Sequence, residues 1–126
     1  MGTQEYKRQS IETSGILQDQ NGIYRTIQRS FVTATTSGNT ELVASQGSDI
    51  KIRVISVTMV CLLAVVVKFQ SSTTDISPQF SFGSNGGASI PHNIGGIFQT
   101  ASGEALNVNL SLDTTVGVNI TWIPTT

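Results

Sequence analysis

The chain has 126 residues, of which 12% are charged, with a net charge of −1 and one cysteine. That length fits one domain able to bury about two-thirds of its unfolded surface. The near-neutral charge offers no clustered basic face for nucleic acid, and a lone Cys61 excludes an intrachain disulfide or a cysteine-cluster metal site.

Charged residues are about half the usual share, while Ser, Thr, Asn and Gln are abundant. Such a surface suits a protein packed into an assembly. All seven Lys and Arg lie at or before Lys68, and beyond it only Asp75, Glu104 and Asp113 carry charge. The asymmetry is too mild to build a nucleic-acid site on. The N-terminus lacks the basic start and apolar run of a secretory signal, so synthesis in a cytoplasm is expected. No apolar run approaches the roughly 20 residues of a spanning helix, and no membrane partner is expected.

Residues 1–24 are polar, carry Gly15 and the turn pair Asn21-Gly22, and keep neither a helical nor a strand period. They are expected to form an arm. Extended at about 3.3 Å per residue, it would reach far beyond its own domain, and it reads either as a floppy terminus or as an arm that orders on a neighbouring subunit. From Arg25 onward, short β-rich runs alternate with turn residues, which predicts a second unit over residues 25–126. Residues 26–36 are the first predicted strand and residues 41–44 a short second one, and 46–49 turn the chain into its most apolar stretch.

That stretch, residues 50–70, is rich in β-branched side chains and is predicted as two long strands meeting near residues 61–64 in a core hairpin. Its phase is unusual. Ile50, Ile52 and Val54 share one parity, whereas Ile55, Val57 and Met59 occupy the other. Either a bulge near Val54 switches faces, or a second copy covers the second set. With a Leu62-Leu63 tip that would be costly in water, the second option is favoured, and Val57, Met59, Leu62 and Leu63 are expected intersubunit contacts.

Residues 76–82 are expected at a sheet edge because Pro78 removes a ladder donor. Residues 83–87 form a wide glycine-rich turn, 88–90 continue extended, and 97–101 are another short strand. Leu106, Val108, Leu110 and Leu112 then alternate with polar residues, and Val116, Val118, Ile120 and Trp122 repeat the pattern after Thr114-Thr115. The two are predicted to pair as a closing hairpin, with Trp122 in the core. The class is all-β: about eight antiparallel strands in a two-sheet jelly roll with an extended N-terminal arm.

Chemistry is poorly supported. His92 stands alone beside Pro91 and lacks an orienting partner and a nucleophile in any known spacing. Asp75 and the serines supply no nucleophile elbow. Glu104 and Asp113 could form a glycosidase acid pair but are expected as solvated loop residues. Residues 83–87 precede no helix and so do not cradle phosphate. The sequons at Asn109 and Asn119 are expected to arise by chance, and Cys61 to be a buried, inert thiol. No enzyme activity and no cofactor or metal is expected.

The segments YRTIQRSFVTATTSGNTELVASQGSDIKIRVISV, VVVKFQSSTTDIS, IPHNIGGIFQTASGEALNVNLS and VGVNITWI together resemble small tailed-phage virion proteins of the capsid decoration, or cement, type. The resemblance spans roughly residues 24–123 and is most specific over residues 98–111. It implies a non-enzymatic jelly roll that sits on the capsid surface of a virion as a homo-oligomer, a dimer before a trimer, and clamps major capsid protein subunits. Within the arm, Tyr6, Lys7, Arg8, Ile11, Ile16, Leu17 and Tyr24 are then expected coat contacts. The proteins it resembles often place small residues or glycine at the tip where this chain has Cys61, Leu62 and Leu63, which argues against a tip bathed in water. The alternative is a receptor- or glycan-binding β-sandwich module of a phage tail fibre or spike, which would need an exposed aromatic with polar neighbours; Phe82 and Phe98 are the candidates.

Overall fold

A computed structural model describes residues 16–18 and 24–126. In chain order the strands are β1 (Ile16–Gln18), β2 (Tyr24–Thr26), β3 (Gln28–Ala34), β4 (Gly38–Val43), β5 (Lys51–Cys61), β6 (Val65–Ser71), β7 (Thr74–Asp75), β8 (Phe80–Phe82), β9 (Gly87–Ile90), β10 (Phe98–Gln99), β11 (Leu106–Leu110) and β12 (Val116–Thr125). No helix occurs among the described residues, and so none is long and apolar enough to cross a membrane.

Two antiparallel sheets form a sandwich. The first runs β3-β12-β5, with β9 and β10 pairing successive stretches of β5; the second runs β4-β11-β6, with β7 and β8 likewise on β6. Strands β3, β5, β9 and β12 thus interleave with β4, β6, β8 and β11, which is the eight-stranded jelly roll expected from the pattern of short strands. A separate two-stranded piece, β1 with β2, precedes β3.

Pairing differs from expectation in two places, for one reason. β5 does not pair with β6, and β11 does not pair with β12; each pair is split between the sheets. The links, residues 62–64 and 111–115, are arches that cross the sandwich. Both strands of each pair carry one apolar face, and putting them on opposite sheets turns those faces toward each other across the core. A hairpin would have left both faces needing a third layer. The alternation in β11 also stops sooner than expected: Leu106, Val108 and Leu110 are buried, while Leu112 lies in the arch and is exposed.

The phase problem in β5 is solved by a bulge. Thr121 pairs with Ser56 but Trp122 pairs with Val54, which leaves Ile55 as the extra residue on β5. Ile52 and Val54 before it, and Val57, Met59 and Cys61 after it, all point into the same intersheet core. Ile55 points outward instead, where Ile123, Ile27 and Ile94 cover it in a small satellite cluster. Val57 and Met59, expected at a contact between copies, are core residues of the single chain instead, at 0% and 1% exposure.

The core is tied across the sheets by aromatic rings. Phe69 on β6 stacks on Phe98 of β10 with centroids 4.9 Å apart, and meets Phe80 edge-on at 6.4 Å. Trp122 is buried as expected, its indole Nε1 donating to Ser30 Oγ at 3.0 Å. Strand β9 lies hard against β5 through Gly87, where a Cβ would stand 2.4 Å from the Met59 carbonyl oxygen and 3.1 Å from Val60 Cα. Gly87→Ala must push these backbones apart and is expected to cost about 1–3 kcal/mol, as overpacking does, read as a lower urea midpoint at unchanged m-value.

Candidate contact surfaces

The arches gather at one end of the sandwich. Leu62 N–H donates to Thr115 O (2.9 Å), Leu63 N–H to Thr114 Oγ1 (3.3 Å), Asn85 N–H to Leu62 O (3.1 Å) and Ser37 N–H to Asp113 Oδ1 (2.7 Å). These bonds lock residues 62–64, 83–86, 111–115 and the β3–β4 turn into one rigid tip. Cys61 is buried just beneath, its thiol 3.3 Å from Gly83 O. On this tip Leu62 (55% exposed), Leu63 (52%) and Leu112 face solvent. Three leucines are thus held outward on a hydrogen-bonded frame.

A second apolar feature was not singled out by sequence reasoning. On the outer face of the first sheet, Phe31 of β3 is 81% exposed and Val60 of β5 projects on the same side. Between them runs β12, which presents Gly117 opposite Thr33 and Val60, and Asn119 opposite Phe31 and Thr58. The result is a shallow groove of about 390 Å³ lined chiefly by Phe31, Thr33, Thr58, Val60, Gly117 and Asn119, none of them charged. Gly117 leaves the floor open: a Cβ there would meet nothing within 4 Å. The available signal was parity, since Val32 and Ala34 are the inward residues of β3 and Phe31 falls between Ser30 and Val32.

The outer face of the second sheet is different. Asn109 Nδ2 donates to Asn39 Oδ1 (2.7 Å), and Asn107 and Asn39 both donate to Ser72 O (2.8 and 3.3 Å). Beside this polar ladder, Asp75 accepts from Gln70 Nε2 (2.6 Å) and pairs with Lys68 Nζ (3.1 Å). The Gln70 hydrogen bond first, and Lys68 second, hold the Asp75 carboxyl below the usual carboxylate range. A depressed folded-state pKa stabilises the fold above the unfolded value, and that contribution disappears as pH falls through the lowered one. Asp75→Asn should therefore narrow the stability gap to wild type only on the acid limb of a pH-denaturation series, and weakly, because the carboxyl is exposed and screened.

The residues weighed for chemistry are not brought together. Glu104 accepts from Ser71 Oγ (2.6 Å) at one end of β11, whereas Asp113 caps the tip at the other, with the whole strand between them. Asp75 is engaged on the second sheet, and His92 follows β9 of the first, exposed. Among the described residues no three His, Cys, Asp or Glu converge on a possible metal position. Phe82 and Phe98, the aromatics expected to face a ligand, are half-buried against the core. Of the arm, Tyr6, Lys7, Arg8 and Ile11 lie outside the described residues; Ile16 and Leu17 belong to β1 and Tyr24 to β2, and Ile16 is exposed.

No family model and no curated protein sequence matches the chain. Solved structures to which the chain is similar include a protein of Bacillus endospore appendages, described as a novel family of disulfide-linked pili, with 14% identity, a TM-score of 0.41 and coverage of 81% of this chain and 89% of that one. The Tobacco streak virus coat protein is similar at 12% identity and a TM-score of 0.38, covering 78% and 86%. Its dimer structure gives 13% identity at the same score and coverage.

Proposed function

We propose that the chain is a non-enzymatic capsid decoration protein of a phage, which binds the outer shell and stabilises contacts between major capsid protein subunits. The observation that carries this reading is the set of large apolar side chains held outward on rigid strand and arch positions: Leu62, Leu63 and Leu112 on the tip, Phe31 and Val60 on one sheet face. A protein that clamps a shell works by burying surface across seams, and firm attachment needs an interface of about 1,200–2,000 Å². An uncharged groove suits broad apolar and polar contact that tolerates salt, because little of its attraction is screened. Residues 1–24 and the tip are the parts assigned to coat and self-contacts, with a symmetric dimer as the favoured oligomer. Mixing purified protein with undecorated capsids tests the reading: saturable binding at micromolar concentration is expected, and its absence overturns it.

A second reading is favoured by Phe31 itself. An exposed ring flanked by Thr33, Thr58 and Asn119 has the form of a platform on which a sugar face could stack. A receptor- or glycan-binding module of a tail fibre or spike would give hits on a glycan array that Phe31→Ser removes; an array without hits leaves the decoration reading alone.

A further inference from the structure

Arg53 occupies an unusual position on β5. It projects to the outer face of the first sheet, between the inward residues Ile52 and Val54, and pairs in register with Gln99 of β10 and Ile123 of β12. Its stem runs close to Gly96. Gly96, at φ +90°, is the residue above it, and a Cβ there would stand 2.7 Å from Arg53 Cγ and 2.8 Å from Cδ. Only glycine leaves room for both the left-handed backbone and the arginine stem. The loop is fixed independently, with Gly96 N–H donating to Asn93 O and Gly95 N–H to Asn93 Oδ1, both at 2.9 Å.

The guanidinium is aimed but not satisfied. Arg53 Nε donates to Gln99 Oε1 at 2.9 Å, which fixes the plane of the group. Nη1 is buried and has no hydrogen-bond partner, the one such side-chain atom among the described residues. A buried charged donor without an acceptor is costly, and removing a charge from water is offset only by an opposite charge close by. Beside the group lies a cavity of about 250 Å³, walled by Arg53, Gly95, Gly96, Phe98 and Gln99. Among the described residues its lining holds no acid, and two of its walls are glycines.

We propose that Arg53 anchors a carboxylate, presented by an acidic side chain of the surface on which this chain docks. The identity of that surface rests on the decoration reading; the existence of the site does not. A planar guanidinium, oriented through Nε and with Nη1 lacking an acceptor, matches the two oxygens of a carboxylate. The cavity is far too small for a folded partner to enter and large enough for one side-chain end. Arg53 then supplies a polar, register-setting contact on the same sheet face as the apolar groove at Phe31, and the two together define an orientation that apolar contact alone would leave free.

Two arms test this on the full chain. In the first, isotope-labelled protein is titrated with acetate at constant ionic strength against chloride, following the backbone amide signals of Gly95, Gly96 and Gln99. A saturable movement with acetate alone is expected, absent in Arg53→Met and weakened in Arg53→Lys. A wild-type response no larger than that to chloride, or one that survives in Arg53→Met, overturns the site. In the second arm, Arg53→Met should lower capsid affinity at least about tenfold, while Lys68→Met, an equal change of charge on the other sheet, leaves it unchanged. Equal capsid binding by wild type and Arg53→Met overturns a docked side chain as the source of the carboxylate, and a positive acetate arm then assigns the site to a free acid. Capsids that bind no wild-type protein overturn the decoration reading, and the acetate arm still decides the site.

Discussion

Phe69→Ala is expected to remove about 3–5 kcal/mol of folding free energy, the usual cost of truncating a fully buried phenylalanine. Domains of this size are stable by about 5–15 kcal/mol, so the variant should sit close to its unfolding transition. The effect is large because Phe69 joins both sheets. Its ring stacks on Phe98 from the first sheet and touches Phe80 of its own. Its backbone is equally engaged, with the N–H donating to Ser77 Oγ at 2.8 Å and the carbonyl accepting from Ile76 N–H at 3.0 Å. Loss of the ring opens a void that neither sheet can close alone, since each is held by its own ladder. Urea denaturation measures it, with Phe82→Ala as the comparison, a half-buried ring expected to cost less. A loss below about 1 kcal/mol for Phe69→Ala would mean that the sheets repack around the void, contrary to the close packing of interiors.

The second large effect concerns contact rather than folding. Leu63→Asp changes a side chain that is about half exposed on the tip, and folding stability should move by no more than about 0.5 kcal/mol. If the tip is a contact, the same substitution removes a buried leucine worth about 1.5–3 kcal/mol and puts an unpaired carboxylate in its place. At 1.4 kcal/mol per factor of ten, association should weaken about a hundredfold. Light scattering reads self-association and capsid co-sedimentation reads docking, which separates a contact between copies from a contact with the coat. A Leu63→Asp protein that keeps both at wild-type strength removes the tip from the contact surface. Phe31→Ser, measured alongside, assigns the sheet face in the same way.

Much of the fold was legible in the residues because strand formation is local. The alternation of Leu106, Val108 and Leu110, and of Val116 to Trp122, follows from a side-chain period of two, and the structure buries those side chains. The inward placement of Trp122 and the burial of Cys61 followed from the same patterning. The outward Leu62 and Leu63 could be located, since no core can absorb both residues of a three-residue link. Phe31 could have been located by the same parity and was missed because β3 is short of apolar residues and its inward set, Val32 and Ala34, is small.

What the sequence determined by itself was the main strands from β3 onward and the faces that β11 and β12 bury, because these depend on residues within a few positions of one another. What only the tertiary structure decided was which strands meet. The arches that separate β5 from β6 and β11 from β12 have the lengths and residues of ordinary hairpin loops, and the choice between pairing and crossing lies in apolar faces brought together from distant parts of the chain. The phase slip at Ile55 was visible as a pattern, yet its meaning was not: Ile27, Ile94 and Ile123, drawn from far along the chain, cover that side chain and return Val57 and Met59 to the core. The Arg53 pocket is of the same kind. Its parts, Arg53 and the Gly95 to Gln99 segment, stand more than forty residues apart, and only the pairing of β10 with β5 sets a guanidinium beneath a glycine.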